Sequence, residues 1–302
     1  MINVLSLQHV TKQFDGIVAV DDLSMEIPEG SMYGLLGPNG AGKTTTIRMI
    51  MNIIVPDGGR IELFGEPFQE ELKDRIGYLP EERGLYGKMK VTDLLIFLAE
   101  IKGVPKREAA SRVDAWLRRL DLGEWRDKPV ESLSKGMQQK LQFIATVLHD
   151  PTLIILDEPF VGLDPVNTNL LKDIMLELKQ KGRTIIFSTH RMEQVEKLCD
   201  RICLIHEGQK VLEGDLSDIK RRAGRNTVRI EFDGDDAFLD DSRLIQKKDS
   251  YGNYVEVHLR EGADPQDLLR SALQHAAVTR FEVTEPSLND IFIEVVGGKR
   301  DE

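Results

Sequence analysis

Short apolar runs predict strands over the first part of the chain. Residues 2–10 and 17–27 have β-like patterns, and a turn at 14–16 separates them. Residues 31–36 (SMYGLL) predict a buried strand that leads directly into a glycine-rich loop. The stretch PDGGR at 56–60 is a strong turn signal. The chain therefore begins as a β-rich segment that feeds a strand–loop–helix unit.

The hydrophobic period becomes that of helices between residues 91 and 149. VTDLLIFLAEIKG and KREAASRVDAWLRRLDL both have a helical pattern, and a third helix is predicted from about Ser134 to His149. These helices predict an insertion, at about 85–150, within an α/β domain. In the second run the residues that recur with the 3.6-residue period are Ala109, Val113, Trp116, Leu117 and Leu120.

Buried-strand patterns return after the helical insertion, at 152–156, 184–188 and 201–205. Helices are predicted between them, at about 165–181 and 191–199. Because a helical crossover joins each strand to the next, we expect these strands to be parallel.

The composition shifts near residues 220–226 (KRRAGRN), which we interpret as a linker between a domain at 1–222 and a second domain at 225–302. The second segment contains 17 acidic and 10 basic residues, so it carries −7 of the net charge of −11. The runs VRIEF, YVEVHL and TRFEV predict strands, and 265–275 predicts a helix. A small α+β domain is therefore expected, with a charged and solvated surface.

Charge and cysteine content narrow the classes of function. A net charge of −11 disfavours nucleic acid as the main partner, because binding it normally needs a cationic face. Cys199 and Cys203 have no second pair, which supports neither a disulfide framework nor a zinc site, so small buried side chains in a reducing cytosol are expected. No apolar run approaches the ~20 residues that span a bilayer. Any membrane role must therefore pass through another polypeptide.

Residues 37–45 read GPNGAGKTT and fit the phosphate-binding pattern G-x-x-x-x-G-K-[ST]. Gly37, Gly40 and Gly42 allow the positive φ angles that turn backbone N–H groups inward as a nest for anions. The helix expected from about Lys43 adds the positive end of its dipole. Lys43 supplies a cation for the β- and γ-phosphates, and the Thr44 hydroxyl can bind Mg²⁺. A glycine-rich turn of no chemical role is the alternative.

Two carboxylates end the buried strand at 152–156. Asp157 can hold Mg²⁺ directly or through water, and Glu158 can orient and deprotonate an attacking water. The alternative interpretation is an acidic turn after a strand, with no chemical role. The presence of a phosphate-binding loop in the same chain disfavours this alternative.

Four further residues are candidates for the same site. Ser134 is placed to cap a helix, whose first amides would form a second anion site. His190 follows a buried strand and could contact a γ-phosphate. Asp164 either caps the next helix or bridges to a partner chain. Phe14 either stacks on a base or packs in the core.

Taken in order along the chain, these motifs resemble the nucleotide-binding subunit of an ATP-binding cassette (ABC) transporter over roughly residues 1–222. The resemblance rests on GPNGAGKTT as Walker A, LSKGM as signature, LIILDEP as Walker B, GLD as D-loop and STH as switch histidine. It implies an α/β P-loop NTPase fold of the ABC type. This fold has a parallel core sheet, an N-terminal antiparallel β subdomain and a helical subdomain, here followed by the small α+β domain.

The resemblance also implies ATP and Mg²⁺ as ligands of a head-to-tail dimer, homomeric or heteromeric with a similar ATPase. Each ATP would lie between Lys43, Asp157, Glu158 and His190 of one chain and Ser134 and Gly136 of the other, with Phe14 stacked on adenine. ATP would close the dimer, hydrolysis through Glu158 would reopen it, and Asp164 would belong to the same nucleotide-binding set. The phosphate-binding loop would comprise Gly37, Pro38, Asn39, Gly40, Ala41, Gly42, Lys43, Thr44 and Thr45.

Two positions depart from the usual family pattern. The signature contains Lys135 and Met137 where glycine and glutamine are common, although Ser134 and Gly136 remain. Glu81 stands where the family usually has the Q-loop glutamine. A carboxylate there could still ligate Mg²⁺ and would hold it more strongly than an amide, so metal dependence is expected to be sharper.

These departures, together with the appended acidic domain, resemble bacterial ATPase subunits of exporters for sodium, antibiotics and similar cargo. We therefore expect an ATP-hydrolysing subunit that is peripheral at the cytoplasmic face of the membrane and drives a separate permease. One alternative is a soluble ABC-type ATPase that acts on ribosomes or DNA. A small-molecule kinase is another, but it would leave LSKGM, GLDP and STH unexplained.

Overall fold

A computed structural model describes residues 3–82, 84–223, 227–260 and 262–297. The chain forms two compact units, Met1–Gly214 and Asp215–Glu302. The sequence interpretation placed this boundary at 222–225. The helix Leu216–Ala223 now groups with the second unit and includes the first part of the expected linker, whereas 224–226 lie outside the described residues.

The first unit contains ten strands in its described part. In chain order they are β1 Asn3–Phe14, β2 Ile17–Pro28, β3 Met32–Leu36, β4 Gly58–Leu63, β5 Glu66–Pro67, β6 Ile76–Leu79, β7 Leu153–Asp157, β8 Thr184–Thr189, β9 Arg201–His206 and β10 Gln209–Asp215. Its helices are α1 Lys43–Ile50, α2 Val91–Ile101, α3 Lys106–Arg119, α4 Lys135–Val147, α5 Pro165–Gln180 and α6 Met192–Leu198.

The central sheet has the order β10-β9-β3-β8-β7-β6. Strands β9, β3, β8, β7 and β6 are parallel, as the pattern predicted. The five residues of β3 and of β7 are all buried, which explains why these strands read as continuous apolar runs. Their carboxyl ends lie along one edge, and this edge is where ligands bind in open parallel sheets.

A second sheet, with the order β2-β1-β4-β5, is antiparallel throughout. The prediction that 56–60 form a turn was wrong in its second half, because β4 already begins at Gly58. Gly59 has φ +83°, and an added Cβ there would lie 2.3 Å from the carbonyl oxygen of His9. Gly59 therefore permits a close approach of β4 to β1.

Helices α2, α3 and α4 form the predicted helical insertion. The apolar residues of α3 and its C-terminus that recur with the helical period are buried, with Trp116 half-buried against Phe143 at a ring-centroid distance of 6.3 Å. Burial of one apolar stripe against the neighbouring helices is what stabilises helices of this length.

The second unit contains α7 Leu216–Ala223, β11 Thr227–Gly234, β12 Ile245–Tyr251, β13 Tyr254–Leu259, α8 Pro265–His275, β14 Ala276–Thr284 and α9 Leu288–Gly297. Its sheet has the order β12-β13-β11-β14 and is antiparallel. This is a split β-α-β-β-α-β arrangement in which a 3₁₀ turn at Ala237–Asp240 replaces the first helix. The predicted α+β class is confirmed, and Val228, Ile230 and Val257 form part of its core.

Both cysteines are buried, as expected, and burial raises the pKa of each thiol. Within the described ranges, none of the helices has the length and apolarity that a bilayer span requires.

Candidate nucleotide-binding and hydrolysis site

The glycine-rich loop joins the end of β3 to the start of α1. Gly37, Gly40 and Gly42 have φ of +151°, +79° and +107°, so the predicted positive φ angles are confirmed. An added Cβ would lie 2.2 Å from the Ile205 carbonyl oxygen at Gly37 and 2.5 Å from the Ala19 carbonyl oxygen at Gly42. Only glycine fits at these two positions, for steric as well as conformational reasons.

Replacing Gly42 with alanine tests this requirement. We expect the variant to lose about 1–3 kcal/mol of unfolding free energy and to bind ATP at least about tenfold more weakly, because the loop must move away from Ala19. Thermal unfolding and ATP titration measure the two effects. The matched control is Gly123→Ala, where an added Cβ meets no atom within 4 Å and φ is not positive. Equal behaviour of the two variants would contradict the argument.

Lys43 is the first residue of α1 and is only 6 % exposed. Its ammonium donates hydrogen bonds to the carbonyl oxygens of Gly37 at 2.8 Å and Pro38 at 2.9 Å. Burial lowers the pKa of Lys43, while the charges of Glu158, Asp157 and Glu81 oppose that shift. The lysine is thus held at the mouth of the loop and is surrounded by carboxylates.

Asp157 is fully buried at the end of β7. It lies opposite Ser188 in the parallel ladder of β7 and β8, and the Ser188 hydroxyl donates to Asp157 Oδ1. Asp157 Oδ2 has no hydrogen-bond partner among the described residues. A fully buried carboxylate oxygen without a donor is a position at which a cation fits well.

Glu158 follows Asp157 with φ +48°, a conformation that costs free energy in a non-glycine residue. This backbone conformation aims its carboxylate toward the end of β8. Glu158 Oε1 lies 2.8 Å from His190 Nδ1 and accepts from the His190 backbone N–H at 3.1 Å, while Oε2 accepts from the Thr189 hydroxyl at 3.2 Å. Glu158 and His190 are therefore brought together, and Glu158 has a fixed orientation.

The loop, Glu158 and Glu81 line one cavity of about 400 Å³. Glu81 reaches it because β6, which the chain leaves at Leu79, lies beside β7 at the edge of the sheet. The lining is predominantly polar, and its residues are Ala19, Asn39, Gly40, Gly42, Lys43, Thr44, Thr45, Glu81 and Glu158.

The residues present fit Mg²⁺. Asp157 offers an unpartnered buried oxygen, and Thr44 and Glu81 offer oxygens at the cavity. Within the described residues, no group of three or more His, Cys, Asp or Glu forms a ready-made metal site. Mg²⁺ in nucleotide sites is usually held by one or two carboxylates together with substrate phosphates.

Nine predicted site residues do not line this cavity. They are Phe14, Gly37, Pro38, Ala41, Ser134, Gly136, Asp157, Asp164 and His190. Ser134 caps α4, its hydroxyl accepting from Met137 N–H at 3.3 Å, and Gly136 lies near Gly162, whose carbonyl oxygen would be 3.0 Å from an added Cβ. Asp164 caps α5 by accepting a hydrogen bond from the Asn167 backbone N–H at 3.0 Å. Hydrogen bonds from the backbone and side chain of Asn167 lower the pKa of Asp164.

Phe14 also lies outside the cavity lining, at the end of β1. Its side chain is 43 % exposed, which argues against a core role, and the Lys12 ammonium lies 5.4 Å from its ring centroid. An exposed aromatic face remains free to stack on a base.

The sequence interpretation missed three residues of the site. Ser188 and Thr189 hold the two carboxylates, and Ala19 of β2 lines the cavity. The FSTH run could have indicated the two hydroxyls, because they follow a buried strand. No signal could have indicated Ala19, since its side chain has no chemistry and only the fold brings it near the loop.

Comparison with known proteins agrees with this geometry. The ABC transporter family model matches residues 20–161. A protein of Bacillus subtilis (strain 168), the uncharacterized ABC transporter ATP-binding protein YhaQ, is 47 % identical over 97 % of this chain and 99 % of its own length. The chain belongs to the ABC transporter ATP-binding family. Its members are ATPases whose activity is coupled to transport, and the predicted family, fold class and ATPase activity are thereby confirmed.

The second unit of this ABC ATPase also has a family match. Residues 214–296 match the C-terminal domain of DrrA1-3-like ATP-binding proteins. Nod factor export ATP-binding protein I of Cupriavidus pinatubonensis is 33 % identical over 97 % of this chain and 91 % of its own length. A solved structure of an ATP-binding subunit of an ABC transporter superposes with a TM-score of 0.69, at 32 % identity, over 73 % of this chain and 93 % of that one.

Proposed function

We propose that this ABC ATPase is the ATP-hydrolysing subunit of a membrane exporter and that ATP acts by closing a dimer of such subunits. The observation that carries the proposal is the convergence of Lys43, the loop amides and Glu158 on one cavity. A relative of similar length that is named for Nod factor export supports the direction of transport.

Within one subunit, the loop amides and Lys43 bind the phosphates of ATP. Thr44, Asp157 and Glu81 would hold Mg²⁺, which neutralises charge on the phosphates and polarises them when bound. Glu158 accepts the proton of the attacking water as general base. His190 keeps the Glu158 carboxylate oriented through its Nδ1 and backbone N–H, and its ring is available to the γ-phosphate.

The proposed dimer follows from what the cavity lacks. Ser134 and Gly136 form a capped helix start with outward-pointing amides, yet they do not line the cavity of their own chain. A head-to-tail arrangement brings the helix start of one copy to the phosphates of the other copy. In that arrangement Asp164 would lie at the interface and Phe14 would stack on adenine.

A groove of about 340 Å³ on the first unit is a candidate docking site for a membrane partner. It lies between the helical insertion and the loop that contains Glu81, and Glu81 itself lines the nucleotide cavity. Its lining is mainly apolar, and such grooves commonly receive an amphipathic helix. We propose that a cytoplasmic helix of the permease docks there, which makes this subunit peripheral at the cytoplasmic face of the membrane. The lining includes Tyr78, Leu85, Leu98, Ile101, Ala145 and His149.

Replacing Ile101 with glutamate tests the groove. We expect loss of co-purification with the permease, because a charge would be buried at the interface, while ATP binding by the isolated subunit stays normal. Ile101 is 60 % exposed, so the fold should tolerate the change. Ile53→Glu is the matched control, because Ile53 is 59 % exposed and lies outside the groove. Retention of the permease by the Ile101 variant would exclude this docking site.

The proposal as a whole is tested with the purified subunit and a candidate permease, a membrane protein with several apolar runs of about 20 residues. We expect Mg²⁺-supported ATP hydrolysis and co-purification of the two chains. Hydrolysis without any association with a membrane protein would favour a non-membrane partner instead.

A further inference from the structure

Two exposed charged residues, Glu81 and Lys135, stand where most members of the family have uncharged ones. Glu81 and Lys135 form no hydrogen bond or ion pair with another described residue. Both lie in segments that carry the proposed function, since Glu81 lines the nucleotide cavity and Lys135 lies between Ser134 and Gly136.

Glu81 makes the cavity strongly anionic. The charges of Glu81, Asp157 and Glu158 all act on Lys43, which is the one cation in the described cavity lining. Three carboxylates facing one ammonium leave two negative charges in excess before a triphosphate binds. Mg²⁺ offsets part of this charge, but ATP adds more of the same sign.

Lys135 is in an unfavourable place within its own chain. It is the first residue of α4, where the helix dipole has its positive end and where acidic residues are favoured. The first turn of α4 contains no acidic residue to offset it. The comparable lysine at the start of α3, Lys106, has Glu108 in the same turn. An anion brought to this helix start by another molecule would therefore relieve the unfavourable interaction of Lys135 with the helix dipole.

We infer that Lys135 of one copy offsets part of the excess negative charge at the nucleotide cavity of the other copy, and that Glu81 adds to this excess. The inference rests on the proposed head-to-tail dimer, which presents Ser134 and Gly136 to the phosphates of the facing copy. The two departures from the family pattern are then a complementary pair. Glu81 strengthens the hold on the metal ion, and Lys135 restores attraction between the copies.

The test uses full-length protein with the Glu158→Gln change, in which the ATP-bound dimer should accumulate. The dimer dissociation constant is measured by analytical ultracentrifugation with Mg²⁺ and ATP at several salt concentrations. At low salt, Lys135→Ala should weaken the dimer about tenfold, and the difference should shrink to within about twofold at 1 M salt, because salt screens exposed charges.

Adding Glu81→Gln tests the coupling. On its own it should strengthen the dimer severalfold, and in its presence Lys135→Ala should weaken the dimer by about threefold or less instead of about tenfold, because the lysine then has less negative charge to offset. Lys106→Ala is the matched control and should leave the dimer unchanged.

Two further measurements distinguish an action of Lys135 on the facing copy from a structural role within its own chain. Lys135→Ala should leave the ATP affinity of the monomer unchanged, and it should slightly raise the Tm because a cation leaves the helix N-terminus. Glu81→Gln should raise the Mg²⁺ concentration needed for ATP binding by the monomer.

The outcomes are distinguishable. A normal ATP-driven dimer in which Lys135→Ala behaves like Lys106→Ala would overturn this inference and leave the proposed function intact. Additive effects of Lys135→Ala and Glu81→Gln would overturn the coupling in the same way. Absence of any ATP-dependent dimer in the Glu158→Gln protein would overturn the proposed dimer and, with it, this inference.

Discussion

Replacing Glu158 with glutamine should reduce ATP hydrolysis by at least about a hundredfold while ATP still binds. The amide oxygen of glutamine can accept the hydrogen bond from the His190 backbone N–H, and its NH₂ can donate to the Thr189 hydroxyl, but the amide cannot take a proton from water. Steady-state phosphate release measures turnover. Size-exclusion chromatography with ATP should show a stable dimer, since the bound nucleotide is no longer consumed.

The matched control for this prediction is Glu207→Gln. Glu207 has nearly the same left-handed backbone, with φ +49° against +48° for Glu158, but it does not line the cavity. Its variant should keep normal turnover, which separates the chemistry of the carboxylate from the effect of a strained backbone. Unaltered hydrolysis in Glu158→Gln would rule out Glu158 as the general base.

Replacing Lys43 with alanine should weaken ATP binding about a hundredfold or more, equivalent to about 2.7 kcal/mol. Lys43 is the one cation of the described cavity lining, and its removal leaves Glu158 and Glu81 facing the triphosphate without compensation. Calorimetric titration of the monomer with ATP measures the loss directly.

Lys140→Ala is the control for this second prediction. Lys140 is as buried as Lys43, at 6 % exposure, and its ammonium donates to Asn167 at 3.0 Å, away from the cavity. We expect this variant to lose stability but to bind ATP normally. Should the two lysine variants bind ATP equally well, Lys43 would have no part in binding phosphate.

Much of the site could be predicted because its chemistry is concentrated in short segments. Residues 37–45 contain the glycine-rich loop, Lys43 and the Thr44 hydroxyl. The glycines of this segment indicate positive φ angles, which other residues rarely adopt. Asp157 and Glu158 were equally visible, since the apolar run of β7 ends at them. In both cases the signal is local, and so is the physical cause.

Elements without a periodic apolar signal were missed. Strand β12 reads IQKKDSY, and only Ile245 of its residues is buried, so no alternation marks it as a strand. It forms because β13 offers it hydrogen-bonding partners. The last residues of helix α7, 220–223, were interpreted as part of a linker because the composition shifts there, although Leu216 and Ile219 of the same helix are buried.

The sequence by itself determined the phosphate loop, the carboxylate pair, the parallel α/β class and the family, because each depends on residues close together in the chain. Tertiary structure alone decided which of these segments meet. Placement of β3 beside β8, of β8 beside β7 and of β7 beside β6 brings Lys43, His190, Glu158 and Glu81 to one edge of the sheet. The same arrangement keeps Ser134 and Gly136 out of that cavity. Strand order depends on long-range packing between elements that are far apart in sequence, and no local pattern encodes it.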